Sequence, residues 1–252
     1  MRQLIQSYRS GEMTIEEVPP PALRPGGVLV RTVRSLVSAG TEKMIVDLAR
    51  KSLVGKARAR PDLVRKVLNT ARKQGLKNTF SKVRSKLDTP IPLGYSSAGV
   101  VVGVGEQVSE YSVGDRVACA GAGYANHAEY NYVPRNLVAR IPDGVSMESA
   151  CSATVAAIAL QGIRQTAPTL GERVAVLGLG LIGQLTVQML RANGCRVLGF
   201  DPDSSRAKLA EELGADLAVA SQLEEAAERF SRGQGMDAVI VAASTPSAPA
   251  AT

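Results

Sequence analysis

Six residues in the C-terminal half restrict the fold of this chain more than any other segment. Residues 178–183 read Gly-Leu-Gly-Leu-Ile-Gly, after an apolar run at Arg173–Leu177 and at the start of an amphipathic pattern over Ile182–Asn193. A strand that enters a helix through a turn of this glycine spacing is typical of a βαβ unit. The segment therefore predicts a parallel sheet with helices packed against it.

Each glycine of this turn has a physical role in a phosphate-binding unit. Gly178 permits the tight turn, Gly180 lets a pyrophosphate approach the backbone, and Gly183 allows the helix to pack closely on the strand. The backbone N–H groups of Leu181 and Ile182 then lie at a helix N-terminus, where unpaired donors and the helix dipole favour an anion. The sequence predicts a dinucleotide site here, and the alternative is a glycine turn that binds no ligand.

An acidic residue after the second predicted strand bears on the choice of dinucleotide. Arg196–Phe200 has a strand pattern and is followed by Asp201, 18 residues beyond Gly183. A carboxylate at this place accepts hydrogen bonds from the ribose hydroxyls of an adenosine and repels a 2′-phosphate. Arg206 is close enough in sequence to weaken that repulsion. We therefore expect NAD as the cofactor, with NADP as the less favoured alternative.

Alternating strand and helix patterns fill the rest of the C-terminal half, after an alanine-rich helix predicted over Ser146–Gln165. The predicted strands are 173–177, 196–200, 216–220 and 237–242, and the helices between them are 182–193, 204–213 and 223–232. A Rossmann domain of this kind has about six parallel strands. We therefore expect an incomplete sheet in a truncated version of a longer protein, with the fourth strand exposed as an edge.

The N-terminal half has a different pattern, with short strands broken by turns. Strands are predicted at Val28–Arg34, Gly99–Val104 and Glu129–Val133, which indicates an irregular β domain. A basic block over residues 50–86 interrupts it, with 13 Lys or Arg residues and one acidic residue, Asp62. Apolar residues at helical spacing inside the block predict two helices that pack on the β domain.

Composition and cysteine spacing exclude several classes of protein. No run of about 18 apolar residues is present, so no membrane span is predicted. The chain has six Tyr, three Phe and no Trp, which argues against the aromatic platforms that bind single-stranded nucleic acid. Cys119, Cys151 and Cys195 form no C-x-x-C pair, a pattern that favours unpaired thiols in a reducing cytoplasm. Cys119 and Cys151 are expected to be buried side chains and not nucleophiles.

The order of these elements and several short motifs resemble the medium-chain dehydrogenase/reductase superfamily, the zinc-type alcohol dehydrogenases and their zinc-free relatives. The chain looks most similar to the dehydrogenase half of bacterial bi-domain oxidoreductases. The resemblance implies a GroES-like domain over residues 1–147, with a helical insertion at about 43–88, and a partial Rossmann domain over 148–252. It also implies that Thr154, in the helix between the domains, contacts the cofactor. The motifs that carry the resemblance are Pro25–Val30, Gly40–Glu42, Gly94–Val101, Gly114–Val117, Thr154 and the glycine turn.

The resemblance also implies that this chain is one of the zinc-free members. Where the zinc-dependent relatives have a Cys, a His-Glu pair and a second Cys, this sequence has Ala39, then Tyr95 with Ser96, and then Ala150. Cys151 is one residue out of register with the last of these positions. Because a catalytic zinc needs three protein ligands, we expect no metal.

Without a metal, a substrate carbonyl must be polarised by hydrogen-bond donors or by a general acid. The resemblance puts Ser38, Thr41, Tyr95 and His127 near the active-site cleft. Tyr95 is the preferred candidate, because it replaces a metal ligand and its phenol can donate a proton. The alternatives are that Tyr95 only fills the vacated volume and that His127 is structural.

The combined prediction is an NAD(P)-dependent oxidoreductase that acts on a small molecule. It would transfer hydride between a nicotinamide and an alcohol/carbonyl pair or an activated alkene. A basic block beside the site would favour an anionic substrate, and homo-oligomer formation stays open for a full-length form. The other hypotheses are a non-catalytic, truncated nucleotide-binding relic and a protein that binds anionic ligands through residues 50–86, with nucleic acid the disfavoured partner because no recognition motif is present.

Overall fold

The computed structural model describes residues 1–7, 10–50, 55 and 89–243. The chain divides into two compact units, with the boundary between Thr154 and Val155. The two helices predicted in the basic block lie outside the described residues. No helix in the described ranges is long and apolar enough to cross a membrane.

The first unit is built on two antiparallel sheets. The larger has the strand order β7-β3-β5-β6-β8 and the smaller the order β2-β1-β4. Helix α1 follows β3, and the short helix α2 packs on β5. The elements are β1 (Arg2–Gln6), β2 (Met13–Glu17), β3 (Gly27–Ser35), α1 (Ala39–Arg50), β4 (Ile91–Pro92), β5 (Ser96–Val104), β6 (Arg116–Ala120), β7 (Tyr130–Pro134), β8 (Val138–Arg140) and α2 (Met147–Ala150).

Alternating residues of the larger sheet form the main core of this unit. Val28 and Val30 of β3 are 0% and 1% exposed, and they pack with Val101, Val117 and Val133 of three neighbouring strands. Side chains on one face of an antiparallel strand recur at every second residue, so this pattern defines the face that turns inward. The strands predicted at 28–34, 99–104 and 129–133 are all present in this sheet.

The single helix predicted over Ser146–Gln165 is wrong, because the structure breaks it into α2 and α3 (Ala153–Thr166). The break falls at Cys151 and Ser152. The Ser152 hydroxyl donates to the Ser149 carbonyl at 2.7 Å, and the Ser96 hydroxyl donates to the Cys151 carbonyl at 2.6 Å. These side chains take carbonyl oxygens that a continuous helix would use for its own hydrogen bonds.

The second unit is a parallel sheet with the strand order β11-β10-β9-β12. Its core consists of aliphatic side chains from β9, β10 and the helix that follows the glycine turn, among them Val174, Val187 and Val197. The four predicted strands and three predicted helices are confirmed over the described residues. They are β9 (Arg173–Leu177), α4 (Leu181–Ala192), β10 (Arg196–Phe200), α5 (Ser204–Glu212), β11 (Leu217–Val219), α6 (Leu223–Ser231) and β12 (Ala238–Val241).

Strand β12 is an edge of this sheet in the part of the chain that the structure describes. It pairs with β9 on one side. Val239 and Val241 are 52% and 54% exposed, whereas strands inside a parallel sheet are normally buried on both faces. The exposed fourth strand predicted from the sequence is present in the described residues.

Candidate functional site

The three glycines of the turn have unequal steric surroundings. Gly178 has φ +93°, and a Cβ there would lie 2.7 Å from the Ala243 nitrogen. A Cβ at Gly183 would overlap the Gly178 carbonyl oxygen and lie 2.9 Å from its carbon, whereas a Cβ at Gly180 would meet nothing within 4 Å. Backbone geometry and packing therefore require glycine at 178 and 183, while Gly180 faces open space.

The N-terminus of α4 presents backbone donors that have no partner among the described residues. Gly180 is the N-cap and provides no capping side chain, and the first helical bond runs from the Gln184 nitrogen to the Gly180 carbonyl at 2.9 Å. The N–H groups of Leu181, Ile182 and Gly183 donate to no described residue. Such donors, at the positive end of a 12-residue helix, form a site for an anion.

Asp201 lies next to the turn and is 6% exposed. Its Oδ2 accepts a hydrogen bond from the Leu179 N–H at 2.8 Å, and its Oδ1 accepts one from the Asp203 N–H at 3.0 Å. Arg206 Nη1 is 3.4 Å from Oδ2, and the Arg206 side chain is half exposed. Because a carboxylate oxygen accepts about two hydrogen bonds, Oδ2 is already engaged by Leu179 and Arg206, and Oδ1 keeps acceptor capacity for a ligand hydroxyl.

These features fit a dinucleotide. The open face at Gly180 admits a phosphate to the backbone, the unpaired N–H groups offer donors to it, and the carboxylate of Asp201 follows on the adjacent strand end. The bond from Asp201 to the Leu179 N–H was not foreseen in the sequence, because it depends on how closely β9 and β10 lie.

The first unit contains a buried polar cluster around its single histidine, the Glu42–His127 cluster (Ser35, Ser38, Thr41, Glu42 and His127). His127 Nδ1 is 2.9 Å from Ser35 Oγ, and Nε2 is 3.1 Å from Glu42 Oε1. The same Glu42 oxygen accepts the Ser38 N–H at 3.0 Å. The side chains of His127 and Glu42 are 9% and 11% exposed, so both ring nitrogens are engaged inside the protein.

The structure brings three of the four proposed catalytic residues into this cluster. The Ser38 hydroxyl donates to Thr41 Oγ1 at 3.4 Å, a weak contact. Tyr95 is half-buried, its carbonyl accepts the Gly121 N–H at 2.9 Å, and its phenol makes no hydrogen bond to a described residue. The Thr154 hydroxyl donates to the Cys119 carbonyl at 3.3 Å.

Glu42 and Ser35 were missed as site residues. Glu42 lies in the first turn of α1, which begins four residues before the helical insertion that the resemblance implies at about 43–88. An acid shortly after a helix-starting serine is a local signal for a helix N-terminus, and it would have identified α1. Its contact with His127 has no local signal, because the two residues are 85 positions apart.

The described side chains at the ligand positions that the resemblance implies do not form a zinc site. Of the side chains at the family's ligand positions, Ala39 and Ala150 have no donor atom, and the Ser96 hydroxyl is used on the Cys151 carbonyl. No group of three or more His, Cys, Asp or Glu that could hold a metal exists among the described residues. Burial raises the pKa of Cys119 to about 12 and also raises the pKa of Cys151, so neither thiol forms a thiolate readily.

A cavity of about 300 Å³ also lies in the first unit. Tyr124, Asn126, Tyr130 and Arg24 are among its lining residues, and none of the Glu42–His127 cluster lines it. It is therefore separate from the residues to which the sequence assigned chemistry.

Comparison with protein families adds an independent finding. The family model "Alcohol dehydrogenase GroES-like domain" matches residues 67–143, and the model "Zinc-binding dehydrogenase" matches residues 182–251. The chain belongs to the medium-chain, zinc-type alcohol dehydrogenase-like superfamily. The predicted fold class, a GroES-like β domain followed by a Rossmann domain, is thereby confirmed.

Individual relatives agree with this membership. An alcohol dehydrogenase of Geobacillus stearothermophilus is 32% identical over 174 residues, covering 58% of this chain and 51% of the relative. The (R,R)-butanediol dehydrogenase of Bacillus subtilis is 31% identical, covering 62% and 53%. A crystal structure of an alcohol dehydrogenase superfamily protein from Novosphingobium aromaticivorans superimposes with TM-score 0.73 at 25% identity, covering 98% of this chain and 67% of that one. The chain spans about half the length of these curated relatives.

Proposed function

We propose that this chain is the dinucleotide-binding and dehydrogenase part of an NAD(P)-dependent oxidoreductase. The observation that carries the proposal is the glycine turn, where three N–H groups without a partner in the described part of the chain adjoin the open face of Gly180. Relatives named as alcohol, butanediol and sorbitol dehydrogenases support an alcohol or carbonyl substrate. An activated alkene stays as the alternative substrate class.

Within this proposal, the residues of the second unit bind the cofactor. The N–H groups of Leu181, Ile182 and Gly183 donate to the pyrophosphate, and Asp201 accepts from the adenosine ribose. Arg206 reduces the negative charge of Asp201 that a 2′-phosphate would meet. A bound nicotinamide supplies the hydride acceptor or donor.

Residues of the first unit supply the proton chemistry in this proposal. Ser38, Thr41 and Tyr95 carry hydroxyls that can donate to a carbonyl oxygen. We propose zinc-free catalysis, supported by the alanines at two family ligand positions and by the engaged Ser96 hydroxyl. Three free buried cysteines support the cytoplasmic location that is part of the same proposal.

Calorimetric titration of the purified chain with NADH and NADPH tests cofactor binding. We expect NADH to bind at least about tenfold more tightly, because the carboxylate of Asp201 repels a 2′-phosphate, and we expect Asp201→Asn to narrow that ratio. No binding of either dinucleotide would overturn the proposal. Binding without turnover of aldehydes, ketones or quinones would favour the non-catalytic alternative, and about one zinc per chain that survives chelation would refute metal-free catalysis.

A further inference from the structure

The backbone of Leu179, in the middle of the glycine turn, is held through both its N–H and its carbonyl. Its N–H donates to Asp201 Oδ2 at 2.8 Å, and its carbonyl accepts from Gln184 Nε2 at 3.1 Å. The Leu179 side chain is 1% exposed and lies over Gly199 of β10, where a Cβ would be 3.1 Å from its Cδ1. The orientation of the turn therefore depends on Gln184 as well as on Asp201.

Gln184 also reaches a second element. Its Nε2 donates to the Arg206 carbonyl, in the first turn of α5, at 2.9 Å. One amide nitrogen thus joins the glycine turn to the helix that carries Arg206. Because both partners are carbonyl oxygens, the nitrogen must face them, and the amide orientation follows from the network.

The other half of the same amide has no partner. Gln184 is 7% exposed, and its Oε1 is buried without a hydrogen bond to any described residue. A buried acceptor without a partner is unfavourable, and an apolar side chain of similar size would avoid it. An apolar side chain could not donate the two hydrogen bonds that this amide makes to the carbonyls of Leu179 and Arg206.

We infer that Gln184 is a positioning residue for dinucleotide binding, which rests on the function proposed above. It holds the Leu179 carbonyl on the protein side of the turn, so that the N–H groups of residues 181–183 stay available to a phosphate. It also fixes the backbone of Arg206 relative to Asp201, the pair that meets the adenosine ribose.

The test compares Gln184→Met with Gln188→Met in the full 252-residue chain. Gln188 is an exposed glutamine on the same helix, and among the described residues its Nε2 bonds only to the Gln184 carbonyl of its own helix, at 3.2 Å. Calorimetry with NADH, NADPH and ADP-ribose gives the affinities, and thermal melting gives the stability. We expect Gln184→Met to weaken the binding of NADH and of ADP-ribose about tenfold. We also expect it to bring the ratio of the NADH and NADPH affinities closer to one. Gln188→Met should change neither these affinities nor their ratio.

The outcomes separate this inference from the proposed function. An unmodified chain that binds neither NADH nor NADPH refutes the proposed function. Unchanged affinities in Gln184→Met overturn the inference alone, as does a lower Tm with equal weakening of both dinucleotides, which indicates a structural role.

Gln184→Glu provides a second readout that does not depend on the methionine variant. The introduced carboxyl can donate a hydrogen bond to a carbonyl only when protonated. The affinity of Gln184→Glu for NADH should therefore fall more steeply between pH 5 and 8 than the affinity of the unmodified chain. Parallel pH profiles would contradict the inference.

Discussion

The glycine turn predicts that the same substitution, glycine to alanine, has different effects at two positions. Gly183→Ala and Gly180→Ala each add one methyl group, at two positions that are three residues apart. At 183 the methyl group would overlap backbone atoms of Gly178, whereas at 180 it would meet nothing within 4 Å. We expect the first variant to lose folding stability and the second to lose only dinucleotide binding.

The magnitudes follow from these contacts. At Gly183 the overlapped atoms are backbone, so α4 itself must move, at an overpacking cost of about 3 kcal/mol. The higher helix propensity of alanine stabilises the variant by about 1 kcal/mol, so the net destabilisation is about 2 kcal/mol. In a unit of about 100 residues this lowers Tm by about 8 to 16 °C. Gly180 has φ −72°, which alanine adopts, so its stability should change by no more than about 0.5 kcal/mol.

Thermal melting of the ligand-free variants, followed by titration with NADH, measures both effects. Gly180→Ala should keep the Tm of the unmodified chain but weaken NADH binding at least about tenfold, because its methyl group occupies the space open to a pyrophosphate. The steric reasoning is refuted by equal losses of Tm in the two variants. Unchanged NADH affinity in Gly180→Ala would show instead that no phosphate approaches this residue.

Three further predictions concern side chains outside the turn. Glu42→Ala should lower the free energy of unfolding by about 3 kcal/mol, because it leaves buried donors of the Glu42–His127 cluster unpaired; a urea titration in which Glu42→Ala and Glu42→Gln have the midpoint of the unmodified chain would contradict this. Cys119, whose pKa is raised to about 12 by burial, should resist iodoacetamide at pH 8 until the chain is unfolded, and mass spectrometry that finds complete labelling of the native protein would disprove it. Asp237 accepts the Arg173 N–H at 2.7 Å, and this bond lowers the pKa of the carboxyl from its usual value. The resulting stabilisation is present above the unfolded pKa and is lost as the pH falls through the lower folded pKa. Asp237→Asn should therefore reduce the difference in Tm between pH 6 and pH 3, and an unaltered difference would refute the assignment.

The parallel half of the chain was predictable because its signals are local. Strands β9 and β10 have the predicted bounds of 173–177 and 196–200, since apolar runs flanked by a glycine turn and an amphipathic helix leave little choice of element. The steric roles of Gly178 and Gly183 were also predicted, from the glycine motif in its strand–turn–helix context. The first turn of α1 was missed, because Gly40 lowers its helix propensity.

The polar clusters could not be predicted, because they join residues that are distant in the sequence. The bond that splits the predicted helix connects Ser96 with Cys151, 55 residues apart. The contact of Glu42 with His127 likewise crosses the basic block. Periodicity and motif spacing carry no information on such pairs, whose geometry depends on how the sheets and helices pack.

Hydrogen-bond occupancy separates the four candidate proton donors and leads to a last prediction. His127 has one ring nitrogen against Glu42 and the other against Ser35, so no ring nitrogen remains for a substrate, whereas the phenol of Tyr95 makes no bond to a described residue. With any aldehyde or ketone that the chain reduces, Tyr95→Phe should lower kcat at least about a hundredfold while leaving Tm nearly unchanged, because a positioned acid contributes about that much. His127→Gln should mainly lower Tm, since the amide cannot reproduce both ring contacts. Steady-state kinetics and melting of the two variants decide between the donors. Full activity in Tyr95→Phe would exclude the phenol and leave the hydroxyls of Ser38 and Thr41 as the remaining candidate donors.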